Sequence, residues 1–196
     1  MSPSHVIEPT YQAIKQRLQS GDLPPGVRLE ATKLAYDHNV SITPVRDSLH
    51  RLAGEQMVDF AHGEGFRAHL VTEAELRDML GLNLILLLGS LTTGRRDQPV
   101  IKSGVQEYPH RLANLWLATA RASQNDELLT AIARLNDRLC LARRLDASIL
   151  SGTEAELDEI EAAMEGAEDV PSLLVRHHAR RIEKASLYAR LLSASK

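Results

Sequence analysis

The hydrophobic period changes once along this chain, and that change limits the folds open to it. Met57-Val58-Asp59-Phe60-Ala61 and Phe66-Arg67-Ala68-His69-Leu70 are short apolar segments on either side of His62-Gly63-Glu64-Gly65. Two such segments around a Gly-rich turn read as a β-hairpin. Elsewhere the apolar residues recur every three or four positions, the period of an amphipathic helix. The expected fold is therefore mainly α with one small hairpin.

Before the hairpin, Ile7, Tyr11, Ile14 and Leu18 share one helical face, which predicts a helix from about Pro9 to Ser20. Gly21 and the cluster Leu23-Pro24-Pro25-Gly26 stop it. A short helix fits Glu30 to His38, with Leu34 and Ala35 inward. Ser41 or Thr43 can cap a third helix with Pro44 in its first turn, running to about Glu55 on Val45, Leu49 and Leu52. Helix, short helix, helix, hairpin is the order of a winged helix-turn-helix. In that fold the third helix enters a major groove and the hairpin lies along the backbone.

From Thr72 onward only helical patterns occur. Thr72 and Glu75 form a capping box before a helix from Glu73 to about Thr93, and Arg95–Pro99 reads as a turn. Further helices fit about Val105–Ser123, Asp126–Leu150, Glu154–Glu165 and Val170–Leu192. The expected organisation is a DNA-binding domain over residues 1–71 and an antiparallel α-helical bundle over 72–196.

Bulk charge argues weakly against nucleic acid. The net charge is −3, and residues 1–71 hold 7 Lys/Arg against 8 Asp/Glu. Any DNA contact must come from a local patch. The single cysteine, Cys140, excludes an internal disulfide and a Cys-based zinc site. The Met79–Leu91 apolar run is shorter than the about 20 residues of a membrane span, and Met1–Glu8 does not resemble a signal peptide. A cytoplasmic protein without membrane association is expected.

The ordered set Leu23-Pro24-Pro25-Gly26, Leu29, Leu34-Ala35, Val40-Ser41, Thr43-Pro44-Val45-Arg46, Ser48-Leu49, Arg51-Leu52 resembles the GntR family of transcriptional regulators, with Gly63 and Gly65 at the wing turn. The helical half resembles the FadR-like subfamily, through Glu75-Leu76-Arg77-Asp78 and through Ala122-Ser123-Gln124-Asn125 before Leu128, where that group has an Ala-Ser-Gly-Asn turn. The resemblance implies a homodimer on a two-fold operator, most often a repressor, modulated by a small-molecule effector in the bundle.

Candidate DNA contacts follow. Arg46, near the start of the third helix, suits bidentate recognition of guanine, unless Asp47 or Glu55 holds it in a salt bridge. Arg51 lies about 140° around the helix, so it reads a different spot or only a phosphate. Ser41 and Thr43 offer hydroxyls and helix N-terminal amides to a phosphate, or simply cap. Lys33 is a candidate backbone anchor or a solvated lysine; His62, Gly63 and Gly65 form the wing tip. Ile42, Thr32 and Glu64 stand where the family usually has arginines, which accounts for the low charge of this half.

In the bundle, many relatives hold a divalent metal with one Asp and three His. Here Leu112, Trp116 and Leu157 fall at three of those positions and His177 or His178 remains for the fourth, so the metal site reads as lost. At most a remodelled set of His110, His177 and His178 survives. Asn83 and Leu87 replace an arginine and an acid of the family pocket. Asn83 and His178 are expected pocket residues, for a hydrophobic or aromatic acid, and Trp116 lines either that pocket or the core. Residues 154–169 carry eight acids and no Lys or Arg, answered by Arg176, Arg180, Arg181, Lys184 and Arg190, which predicts pairing between consecutive helices. Neither a phosphate loop, a nucleophile elbow nor paired catalytic carboxylates occur, so no enzyme is expected. The competing expectation is a bundle that serves dimerisation or partner docking and binds no ligand.

Overall fold

The computed structural model describes residues 4–93, 107–166 and 169–194. The chain divides into two compact units, Met1–Val71 with Leu191–Lys196, and Thr72–Arg190. The expected division left residues 191–196 with the bundle.

The first unit begins with α1 (Ser4–Ser20). It starts five residues before Pro9, where the sequence reading placed the boundary. The Pro9 side chain is exposed, while Tyr11, Ile14 and Leu18 are buried in one stripe that Ile7 extends toward the N-terminus. Next comes β1 (Arg28–Leu29), which no periodicity could reveal in a two-residue strand. α2 (Ala31–Asp37) and α3 (Ile42–Gly54) follow. The hairpin is β2 (Val58–Ala61) and β3 (Gly65–Ala68), and β1 adds to it in the order β1-β3-β2, all antiparallel. In the register Val58 faces Ala68 and Phe60 faces Phe66. Gly63 and Gly65 both have φ of 85°, a left-handed conformation that glycine adopts without the Cβ penalty. Leu34, Val45, Leu49, Leu52, Val58 and Phe66 join the α1 stripe in one core.

The second unit contains α4 (Glu73–Thr93), α5 (Tyr108–Ala122), α6 (Asp126–Arg144), α7 (Asp146–Ile149), α8 (Thr153–Gly166), α9 (Val170–Glu183) and α10 (Ala185–Ala194), the last ending among residues grouped with the first unit. The Arg95–Pro99 turn and the Val105 helix start lie outside the described residues. The capping box forms as expected: Thr72 N donates to Glu75 Oε2 at 2.9 Å and Glu75 N to Thr72 Oγ1 at 3.2 Å. Asn125 Oδ1 caps α6, accepting from Glu127 N and Leu128 N.

Two expected long helices are broken. The Asp126–Leu150 pattern stops at Leu145 and restarts as α7; the Val170–Leu192 pattern stops at Lys184 and restarts as α10. The apolar stripe continues across both breaks, so periodicity reads each pair as one helix. Buried Asp146, just past the first break, accepts from Tyr188 Oη at 2.6 Å, just past the second.

Candidate nucleic-acid interface and ligand cavity

The helix α3 sets its own two faces. Pro44, Val45, Ser48, Leu49 and Leu52 are buried, while Ile42, Thr43, Arg46, Asp47 and His50 are exposed. Ser48 satisfies its buried hydroxyl by donating to Pro44 O at 2.7 Å. Ser41 is the N-cap residue with extended backbone, but its side chain makes no capping hydrogen bond. Its hydroxyl and that of exposed Thr43 lie at a helix N-terminus, where unpaired amides and the helix dipole favour an anion.

Arg46 is exposed, and among the described residues it has no ion-pair partner. Glu55, one of the two acids that could have held it, receives Tyr11 Oη at 2.7 Å and Arg51 Nε at 3.3 Å, with Lys15 Nζ at 3.5 Å. Arg51 is differently placed. Its guanidinium lies 3.6 Å from the Tyr11 ring centroid and donates to Glu8 Oε2 at 2.7 Å. It ties α1 to α3. Lys33 on α2 and His62 at the hairpin tip are exposed, as is Gly63, and Gly65 is half-buried.

His50 fixes the hairpin to α3. Its ring meets Phe60 and Phe66 edge-on, with centroids 5.0 and 4.8 Å away. On the opposite face of the sheet, Arg28 stands directly across from Arg67. Arg67 also faces Asp59 across its other edge, so that acid offsets the like-charge cost of the arginine pair. Sequence reasoning missed both: the pairing depends on β1, whose two residues carry no signal. It also missed Tyr36, an α2 residue 87% exposed.

The second unit has a buried polar centre. Asp146 accepts from Arg181 Nε at 2.9 Å, Tyr108 Oη at 2.9 Å and Tyr188 Oη at 2.6 Å. Arg181 also donates to Glu156 Oε2 at 2.9 Å, and Arg180 to Glu156 Oε1 at 2.8 Å. Burial alone would raise the Glu156 carboxyl, but the His177 hydrogen bond and the Arg181 charge hold it well below its usual range. Desolvation raises both tyrosines. The expected pairing of acidic and basic helices is therefore present, and Arg176 adds an exposed pair with Glu159. Its strongest members are buried, whereas a purely surface set was expected.

Beside this network lies a narrow cavity with room for about one water, lined by Leu80, Asn83, Arg143, Asp146, His178 and Tyr188 among others. Arg143 is 6% exposed and donates to the neutral amide of Asn136 at 2.8 Å. Desolvation lowers its pKa to about 10, while the charge of Asp146 acts in the opposite direction. His178 Nδ1 donates to Leu174 O at 2.8 Å, and burial lowers its pKa to about 4, so the ring is neutral. Its Nε2, 3.1 Å from the Asn83 amide, then offers only a lone pair. The amide orientation that pairs with this lone pair points the Asn83 NH2 at Nε2.

Of the expected pocket residues, Asn83 and His178 line this cavity and Trp116 does not. Trp116 is fully buried in the apolar cluster behind the histidines, 5.5 Å from the His177 ring. Leu112 and Leu157 belong to the same cluster. Carbon side chains and an indole cannot ligate a metal, so these residues do not fit the family's metal. His110 is exposed while His177 and His178 are buried, so the remodelled trio is not assembled either. Cys140 is buried, and burial raises its thiol pKa.

Residues 7–67, the span of the helices and wing just described, match the family model for bacterial regulatory proteins of the gntR family. That match spans the N-terminal part of the chain. The chain is 26% identical over 145 residues to the Nta operon transcriptional regulator of Aminobacter aminovorans, covering 62% of this chain and 66% of that protein's length. Its fold is that of a GntR transcriptional regulator from Rhodococcus sp. RHA1, with a TM-score of 0.78, 13% identity and coverage of 91% and 96% of the two chains. E. coli McbR/YncC shares it at a TM-score of 0.67, 20% identity and coverage of 92% and 97%. Among the described residues no helix is long and apolar enough to cross a membrane.

Proposed function

We propose that this protein is a cytoplasmic, FadR-like repressor that binds a two-fold operator as a homodimer and releases it when a small acid enters the bundle. The observation that carries the DNA reading is Arg46, which stands exposed on α3 without a described ion-pair partner beside a wing fixed by His50. In this reading Arg46 takes a guanine edge in the major groove, and Ser41, Thr43 and Lys33 contact phosphates. His62, Gly63 and Gly65 bring the wing close to the backbone. Arg51 contacts DNA only after leaving Glu8, so its first role is to hold α1 against α3. The experiment is fluorescence anisotropy with a selected operator. Arg46→Ala is expected to lose at least a hundredfold in affinity while its mass in solution is unchanged; retained affinity would sink the assignment.

Dimerisation is supported by α4, whose Leu82 and Ile85 are 48% and 66% exposed on an apolar helix. The effector reading is supported by Arg143, a buried cation beside the cavity with one neutral hydrogen-bond partner. An acid anchored on Arg143 must widen a cavity lined from α4, α6, α9 and α10, so occupancy shifts those helices. Thermal-shift screening with aliphatic and aromatic acids tests it. Stabilisation that disappears in Arg143→Met is expected; no stabilisation by any acid favours a bundle that serves dimerisation alone.

A further inference from the structure

Ile42 is the apolar member of the exposed face of α3, and it has no role in the account above. It sits in the first turn, 39% exposed, and four residues before Arg46. Four residues advance about 6 Å along a helix and about 40° around it, so the two side chains leave from the same side. The core has no need of it: Val45, Leu49 and Leu52 are fully buried and close the inner side of α3. A large apolar group is thus presented to water at the end of α3 that leads into a groove.

The major groove offers one partner of matching chemistry. Among the base edges only thymine carries an apolar group, its C5-methyl. We propose that Ile42 is a specificity-determining residue that packs on a thymine methyl, within about two base pairs of the guanine taken by Arg46. The spacing follows from the 6 Å separation against about 3.4 Å per base pair. This rests on the reading of α3 as the recognition helix. An isoleucine there neutralises no phosphate, so its share of the affinity is independent of salt, unlike that of Lys33.

The test begins with selection of bound fragments from random DNA by the wild-type protein. Failure to enrich any two-fold sequence overturns the DNA-reading assignment itself, and this inference with it. With an operator in hand, each thymine is replaced in turn by deoxyuridine, which removes only the methyl group. Wild type is expected to lose about fourfold in affinity per half-site at one thymine, the worth of one buried methyl. Ile42→Ala is expected to bind the unmodified operator with a similar loss, to show no further loss on the deoxyuridine operator, and to keep the wild-type salt slope. If no deoxyuridine weakens the wild type, or if Ile42→Ala is as sensitive to that substitution as the wild type, Ile42 does not read the methyl.

Discussion

Gln124 occupies backbone that side chains with a Cβ rarely adopt, with φ of 53° between α5 and α6. Its neighbours need that geometry: Ser123 N and Gln124 N close the end of α5 on Ala120 O and Arg121 O, and Asn125 then caps α6. A glycine adopts left-handed backbone without strain. Gln124→Gly is expected to raise the unfolding free energy by about 1 kcal/mol in urea titration, the smaller side of the left-handed penalty. An unchanged or lower midpoint would mean that the turn does not carry that strain. The turn was legible from its residue types; the strain was not, because φ is set by how the two helices meet.

At the scale of elements, the breaks at Leu145 and Lys184 belong to one device. They allow Asp146 and Tyr188 to meet in the interior with Arg181 and Tyr108. Removing the acid leaves a buried guanidinium without its main partner, while removing one hydroxyl leaves the carboxylate with its other donors. Asp146→Ala is therefore expected to cost about 3–5 kcal/mol and Tyr188→Phe about 1 kcal/mol, measured by denaturant unfolding. Equal losses would show that the tyrosine, and not the ion pair, holds the helices at these breaks. The pairs with Glu156 add a link from α8 to α9. Charge patterning predicted that α8 and α9 would pair, but it could not separate the buried Glu156 and Arg181 from the exposed Glu159 and Arg176 around them. That sorting depends on which helix face the bundle covers.

For the whole molecule, acid sensitivity follows from the buried histidines. His178 keeps its neutral form down to about pH 4, against 6.5 for a free imidazole, and burial lowers His177 in the same direction. Between those values the unfolded chain binds the proton and the folded one does not, so stability falls as pH drops from about 6.5 toward 4 and is regained above. His178 alone accounts for on the order of 3 kcal/mol. Thermal melts from pH 7 to 4.5 are expected to show this decline, and His178→Gln to flatten it; a slope unchanged by the substitution would remove His178 as its source. Assembly is tested by Ile85→Glu, expected to convert a dimer to monomers in light scattering; a dimer that survives would place the interface elsewhere than α4.

Sequence alone determined the helix, short helix, helix and hairpin of the first unit and the all-helical character of the second. Period-3.6 stripes, the Pro24-Pro25-Gly26 stop, the Pro44 start and the paired glycines of the wing are local signals, each set within a few residues of chain. Tertiary structure decided what those residues face. It freed Arg46 by engaging Glu55 elsewhere, tied Arg51 down on Tyr11 and Glu8, set Arg28 across from Arg67, placed Trp116 in the core, and put Arg143 at the cavity wall. Each of these outcomes depends on partners tens of residues away in the chain. Propensity and period act along the backbone, whereas the hydrogen bonds and desolvation that decide a side chain's role act through space.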